Sequence, residues 1–270
     1  MNILEFYAAQ SPFTDPGRNV QMFEGLPVSV SEIKDVLKGI CLDYREIDKY
    51  PIQNERLLET NNRYAEEMLQ AIYNLDKESP ITTGRPENAR MMASASQFAT
   101  LCCSMLRHAG IPARSRIGFA KDGEDYKTYA IIEYHDNGWK TLDPSGEGLE
   151  FISAAKVFAD CRSDAACESK FKNGKESGMG AVIANLMLDL AAVNKYEMNI
   201  WDRYGWMNRP IYDYSDKAWE ILAEVAKILA NDDKNLEALQ AAYEGEEGLH
   251  VPQVVFCDSP LVPGHKVTLK

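Results

Sequence analysis

The sequence predicts an α+β protein, and three observations carry that reading. Residues 95–109 hold Phe98, Ala99, Leu101, Cys102, Cys103, Met105, Leu106 and Ala109, which leaves almost no polar face. A helix apolar nearly all round is buried at the centre of a fold. Gly110 and Pro112 then stop it, because glycine tolerates positive φ and proline cannot resume a helix. Three alternating segments follow at 115–120, 129–134 and 138–142, the last two joined by His135-Asp136-Asn137-Gly138. Asn-Gly between alternating segments is a strong short-range hairpin signal. One buried helix against an antiparallel sheet is an α+β arrangement.

The elements before the central helix read as helical over the first ~80 residues. Ser29 or Ser31 is a plausible N-cap for an amphipathic run over 33–42. A second run over 54–75 places Leu57, Leu58, Asn61, Tyr64, Ala65, Met68, Leu69, Ile72 and Leu75 at helical spacing. The Pro- and Gly-bearing stretch 79–86 is a connection. Beyond the strands, 179–200 is a long apolar-rich stretch closed by Trp201-Asp202-Arg203-Tyr204-Gly205-Trp206. Ser215 caps a helix through Leu229, Asp233 caps another through Tyr243, and residues 250–256 form an edge strand.

The chain has 270 residues, net charge −12, 45% hydrophobic and 26% charged residues. That is an ordinary globular composition with room for one domain or two closely packed ones. An acidic chain argues against general nucleic-acid or anionic-membrane binding, since phosphate neutralisation needs clustered Lys and Arg. The partner expected is a small-molecule ligand or a protein; no oligomeric state is read. No apolar run spans a bilayer, and the N-terminus lacks the basic start and apolar stretch of a signal peptide. The six cysteines (Cys41, Cys102, Cys103, Cys161, Cys167, Cys257) form no C-x-x-C pair, and His108, His135, His250 and His265 have no ligand spacing with them. The expectation is free packing thiols in a reducing cytoplasm, with no metal and no cofactor.

The block Leu106-Arg107-His108-Ala109-Gly110-Ile111-Pro112-Ala113-Arg114, with the helix before it, resembles the transglutaminase-like superfamily. Further stretches resemble a branch of bacterial cytosolic members of similar length: Ser11-Pro12-Phe13-Thr14-Asp15-Pro16-Gly17, Asn61-Asn62-Arg63, 185–195 and Trp201-Asp202. The resemblance therefore covers nearly the whole chain. It implies one papain-like unit over 1–270, with a helical part at 1–80, a helix-plus-sheet core at 81–150 and a mainly helical part at 151–270.

In that family a cysteine opens the central helix, 15 positions before the glycine of the motif; here that position is Ala95. A helix N-terminus holds partial positive charge and stabilises a thiolate, a histidine across the cleft pairs with it, and an aspartate orients the histidine. Two alignments of the histidine position give Tyr129 or Tyr126, so both place a tyrosine there. Asp143 matches the aspartate. Losing a sulfur and gaining an aromatic compensate in volume, which suggests a repacked site.

The remaining candidates are few. Ser94 and Ser96 flank Ala95 and read first as capping residues. Cys102 lies about 10 Å along the helix at 1.5 Å per residue, too far to substitute. Tyr129 with Asp143 is the one candidate pair for acid–base work, although a neighbouring aspartate raises a phenol's pKa rather than lowering it. Ser94, Ala95, Ser96, Arg90 and Tyr126 are the candidate ligand-binding residues. Arg85, Arg114 and Arg116 are further candidates for an anion, read first as fold ion pairs.

Three functions remain open at this point. One is a transglutaminase-fold protein that binds a ligand or partner in a remodelled cleft without cysteine acyl transfer. Another is an enzyme doing non-covalent cyclisation, isomerisation or elimination. The third is a conventional cysteine amidase, protease or acyltransferase with a mutated or misaligned nucleophile.

Overall fold

The computed structural model describes residues 2–146, 148–164, 167–231, 235–259 and 264–270. The chain divides into two units, Met1–Ser115 with Ile131–Gly148, and Arg116–Ala130 with Leu149–Lys270.

The first unit is built around the helix that the sequence marks as central. Its elements in order are α1 (Ile3–Ala8), α2 (Val30–Ile40), β1 (Cys41–Asp43), α3 (Ala65–Leu75), β2 (Met91–Ala93) and α4 (Ala95–His108). Then come β3 (Ala113–Asp122) and β4 (Asp125–His135), which continue into the other unit, and β5 (Trp139–Leu142). In α2 the buried residues Ile33, Val36, Leu37 and Ile40 form one stripe, and Ser29 caps the helix by accepting from the Glu32 N–H. All of α4 except His108 is buried, and it packs against α1, α2, α3 and β2.

The end of α4 is the stop expected from Gly110. The glycine sits at φ +78°, Gly110 N–H donates to Arg107 O, and Ile111 N–H donates to Leu106 O. These two bonds are a Schellman pair, which satisfies carbonyls that the helix leaves unpaired. The hairpin also forms: Asn137 has φ +53°, and β4 pairs antiparallel with β5 from His135↔Trp139 to Ile132↔Leu142.

The helix expected over 54–75 is instead two pieces, a 3₁₀ segment at Asn54–Asn61 and α3, broken at 62–64. Tertiary bonds claim the polar groups at the break. Gln97 Nε2 donates to Glu59 O and Asn62 O, Arg63 Nη1 donates to Asn61 O, and Ala65 N–H donates to Phe13 O. Leu58 is consequently exposed.

In the second unit β3 pairs with β6 (Phe151–Ser153), which leads into α5 (Ala154–Ser163). The N-terminal end of β4 pairs parallel with β7 (Phe171–Asn173), which pairs in turn with β8 (Glu176–Ser177). The centre is α6 (Met179–Val193), buried along nearly its whole length among α5, β7 and three later elements. Two of those later elements are α7 (Asp216–Leu229) and α8 (Leu236–Glu244), and the third is the 3₁₀ turn Gly205–Asn208; the unit also holds β9 (Asp202–Arg203), β10 (Val254–Cys257) and β11 (His265–Thr268).

Two polar residues one turn apart on α6 tie it to the sheet. Asn185 Oδ1 accepts from Thr128 Oγ1 and Asn173 Nδ2, both at 2.8 Å, and its Nδ2 donates to Gly118 O at 2.8 Å. Asp189 takes the guanidinium of Arg116 and the N–H of Ile117.

Ser215 caps α7 as expected. Asp233 lies outside the described residues; the cap of α8 is Asn235, whose Oδ1 accepts from the Ala238 N–H at 3.0 Å. The expected edge strand is also different. β10 lies between β11 and β9, so it is the middle strand, because the chain beyond it folds back to pair with it. Trp201, Tyr204 and Trp206 are buried, whereas Tyr212 is exposed, so these aromatics are mainly core. No helix among the described residues is long and apolar enough to cross a membrane.

Candidate functional site

Ala95 is the first residue of α4, and Ser94 is its N-cap. The Ser94 and Ser96 hydroxyls and one side of Gln97 bond within this turn. Ser94 N–H donates to Gln97 Oε1 at 2.9 Å, and Ser94 Oγ lies 3.0 Å from Ser96 Oγ and 3.3 Å from Gln97 Oε1. Ser94 is fully buried, and none of its partners is a base. The capping role expected for Ser94 is therefore what the geometry gives it, and Ala95 puts a methyl group at the first helical position.

Register brings β1 alongside this helix start. β1 and β2 pair in parallel, Cys41↔Met91, Leu42↔Met92 and Asp43↔Ala93. Between them, α2 and α4 lies a cavity of about 250 Å³. Arg90 lines it from the residue before β2, and Phe98 lines it from α4, one turn beyond Ala95. Leu42 adds apolar wall, and the turn Ser145-Gly146 supplies the far side.

Asp143 shapes that turn. Its Oδ1 accepts from Ser145 N–H at 3.0 Å, Ser145 Oγ at 2.8 Å and Gly146 N–H at 3.4 Å, and its Oδ2 accepts from Gly148 N–H at 3.0 Å. Such Asx bonds fix a loop without help from another element. Gly146 has φ +88°, and a Cβ there would lie 3.1 Å from Lys38 Cδ. The Lys38 stem therefore packs on the turn, and Lys38 is one of the residues that line the cavity.

The charges of the cavity divide by pairing. Asp43 is held by Arg45 through Nε (2.9 Å) and Nη2 (2.7 Å), and Glu46 by Lys49 at 2.6 Å. Arg90 donates Nε to Arg85 O at 2.7 Å, and its Nη2 lies 3.4 Å from Glu87. Lys38 makes no ion pair among the described residues. Cys41 also lines the cavity, but burial pushes its thiol well above the ordinary range and keeps it protonated.

The other arginines go elsewhere. Arg114 pairs with Glu133 at 2.7 Å and stacks its guanidinium 4.3 Å over the Trp139 ring and 5.2 Å over that of Tyr7. Arg116 is bound to Asp189. Arg85 donates Nη1 to Ile72 O at 2.5 Å, near the C-terminus of α3. Of the four arginines singled out, Arg90 alone lines this cavity.

The two tyrosines lie on β4 in the second unit, and their odd spacing puts them on opposite faces of the strand. Tyr126 shares a face with Thr128, whose hydroxyl meets Asn185 of α6, and its ring is 5.3 Å from that of Phe171. Tyr126 also lines a separate cavity of about 550 Å³ beside Gly123, Asp125 and Lys170. Tyr129 is on the opposite face and is buried.

Of the residues the sequence singles out for a ligand, Arg90 lines this cavity; Asp143 does not line it but precedes the Ser145-Gly146 turn that does, and Lys38, Leu42 and Phe98 carry no signal of the site. A three-residue parallel strand pair carries no periodic signal, and Phe98 reads simply as core.

A family model described as transglutaminase-like superfamily matches residues 58–144. The match runs from the segment before α3 through Asp143 and takes in β2, α4 and the β4–β5 hairpin. Neither the curated proteins nor the solved structures compared with the chain match it.

Proposed function

With a transglutaminase-like domain at residues 58–144 as the premise, we propose that this protein binds a small molecule in a remodelled cleft and performs no cysteine acyl transfer. The observation that carries the reading is Ala95 at the start of α4, between an N-cap Ser94 and a Gln97 that bonds the Ser94 N–H and the Glu59 carbonyl. A methyl group forms no acyl-enzyme. Ser94 has no base to activate it, and Cys41 is held as the neutral thiol.

Three further observations support the reading. Tyrosine stands at the histidine position in both registers, as Tyr129 or Tyr126. Asp143 accepts hydrogen bonds from Ser145, Gly146 and Gly148 of its own turn. A cavity of about 250 Å³ sits one turn from Ala95, bordered by Arg90 and by that turn. It is the size of a small metabolite rather than of a peptide segment.

The test is a thermal-shift screen of a metabolite pool, followed by mass spectrometry of whatever the protein retains. The expected result is a ligand recovered chemically unchanged, and an Ala95→Cys variant that hydrolyses neither amides nor esters. Hydrolysis by Ala95→Cys alone would instead restore the conventional cysteine-enzyme reading.

A further inference from the structure

We propose that the cavity between β1, α4 and the Ser145-Gly146 turn selects a small carboxylate with a compact apolar body. The inference rests on the ligand-binding reading above and names the chemistry that the site recognises.

The pattern of charge pairing carries it. Four charged side chains line the cavity, Lys38, Asp43, Glu46 and Arg90. Both carboxylates are neutralised by residues that are not part of the lining, Asp43 by Arg45 and Glu46 by Lys49. The cations are not neutralised to the same degree. Lys38 has no ion-pair partner among the described residues. Arg90 spends Nε on the Arg85 carbonyl and pairs loosely with Glu87, at 3.4 Å and partly in solvent, and its side chain remains 23% exposed. An anion entering the cavity therefore meets one ammonium with no ion pair among the described residues and one guanidinium in a loose, partly exposed pair. A cation entering meets carboxylates that are already occupied.

Geometry limits the rest of the ligand. The Lys38 stem is held against Gly146, which restricts where its ammonium can reach. The guanidinium of Arg90 is anchored at Nε, and its outer edge, where Nη2 pairs loosely with Glu87 at 3.4 Å, is the side a planar oxyanion would take in competition with that carboxylate. Phe98 and Leu42 supply apolar wall, so the remainder of the ligand is apolar and small enough for about 250 Å³.

The test uses benzoate as the probe and benzamide as its neutral counterpart of nearly the same shape. Binding is measured by calorimetry or saturation-transfer NMR on the full chain. Benzoate is expected to bind about tenfold more tightly than benzamide, the ratio that one charge-assisted hydrogen bond supplies. Lys38→Gln, on an exposed helix position that leaves folding intact, and Arg90→Gln are each expected to weaken benzoate about fivefold or more and to leave benzamide unchanged. Equal binding of the two probes, benzoate binding that both variants leave unchanged, or no benzoate binding at about 10 mM (a free energy near −2.7 kcal/mol) overturns the proposal.

The outcomes also separate this inference from the reading beneath it. A neutral or cationic metabolite captured in the screen sinks the carboxylate proposal and leaves small-molecule binding standing. A carboxylate that is captured and chemically converted does the reverse.

Discussion

Arg116 and Asp189 form a two-pronged ion pair inside the second unit, Nε to Oδ1 at 3.0 Å and Nη2 to Oδ2 at 2.8 Å. Asp189 is fully buried, and its Oδ1 also accepts from the Ile117 N–H at 2.7 Å. Truncating one partner strands a buried charge. Asp189→Ala is expected to cost about 3–5 kcal/mol, read from the urea unfolding midpoint. The apolar double replacement Arg116→Met with Asp189→Leu should recover much of that loss, because it removes both desolvated charges together. A single-variant loss below about 1 kcal/mol would show that the pair does not hold α6 to β3.

Gln97 joins the start of α4 to the broken segment before α3. Its Nε2 serves Glu59 O at 2.8 Å and Asn62 O at 3.0 Å, while its Oε1 accepts from Ser94 N–H. Gln97→Leu keeps the volume and deprives two carbonyls of their donor. The expected cost is about 2 kcal/mol or more, since a buried polar group without a partner costs about 1–3 kcal/mol. Hydrogen exchange should quicken over 54–64 and over the first turn of α4. Unchanged exchange in 54–64 would remove Gln97 as the cause of the break.

Gly146 shapes the candidate cavity through its backbone. At φ +88° an alanine is strained by about 1–2 kcal/mol. Its methyl would also press on Lys38 Cδ and Cε, 3.1 and 3.2 Å from the Cβ position. Gly146→Ala is therefore expected to lower stability modestly and to weaken benzoate binding more than Lys38→Gln does, since it moves both the turn and the lysine. Benzoate affinity equal to wild type would place the ligand away from this turn.

Alkaline stability follows from the buried phenols. Burial pushes the Tyr214 hydroxyl up to about 12, and the Tyr204 and Tyr243 hydroxyls are raised for the same reason. Tyr214 also donates its proton to Trp206 O at 2.6 Å. A raised native pKa means that the folded state keeps a proton which the unfolded chain releases near pH 10. The contribution is therefore complete below about pH 10 and is lost as pH climbs through about 12. Urea midpoints should fall steeply across that interval, in step with phenolate absorbance, and Tyr214→Phe should flatten the slope. A slope that Tyr214→Phe leaves unaltered would assign the fall to other groups.

Local chemistry is what made parts of this protein legible. The limits of α4 follow from Ser94 and from Gly110-Ile111-Pro112, because a cap and a left-handed stop act within a few residues. Ser29 and Ser215 mark α2 and α7 for the same reason. The failures share a cause as well. The apolar spacing over 54–75 is helical throughout, yet the chain breaks at 62–64, where Gln97 and Phe13 take the local backbone groups. Residues 250–256 look like an edge until β11 returns to cover β10.

By itself the sequence determined the α+β class, the limits of the buried helix and Ala95 as its first residue. These are matters of residue identity and of spacing over a turn or two. Only the tertiary structure decided which charges are spent. Arg114 closes on Glu133 and Arg116 on Asp189, while Lys38 meets Gly146 across more than a hundred residues of chain. Whether a side chain is a structural ion pair or an open binding group depends on partners distant in sequence, and no local pattern encodes them.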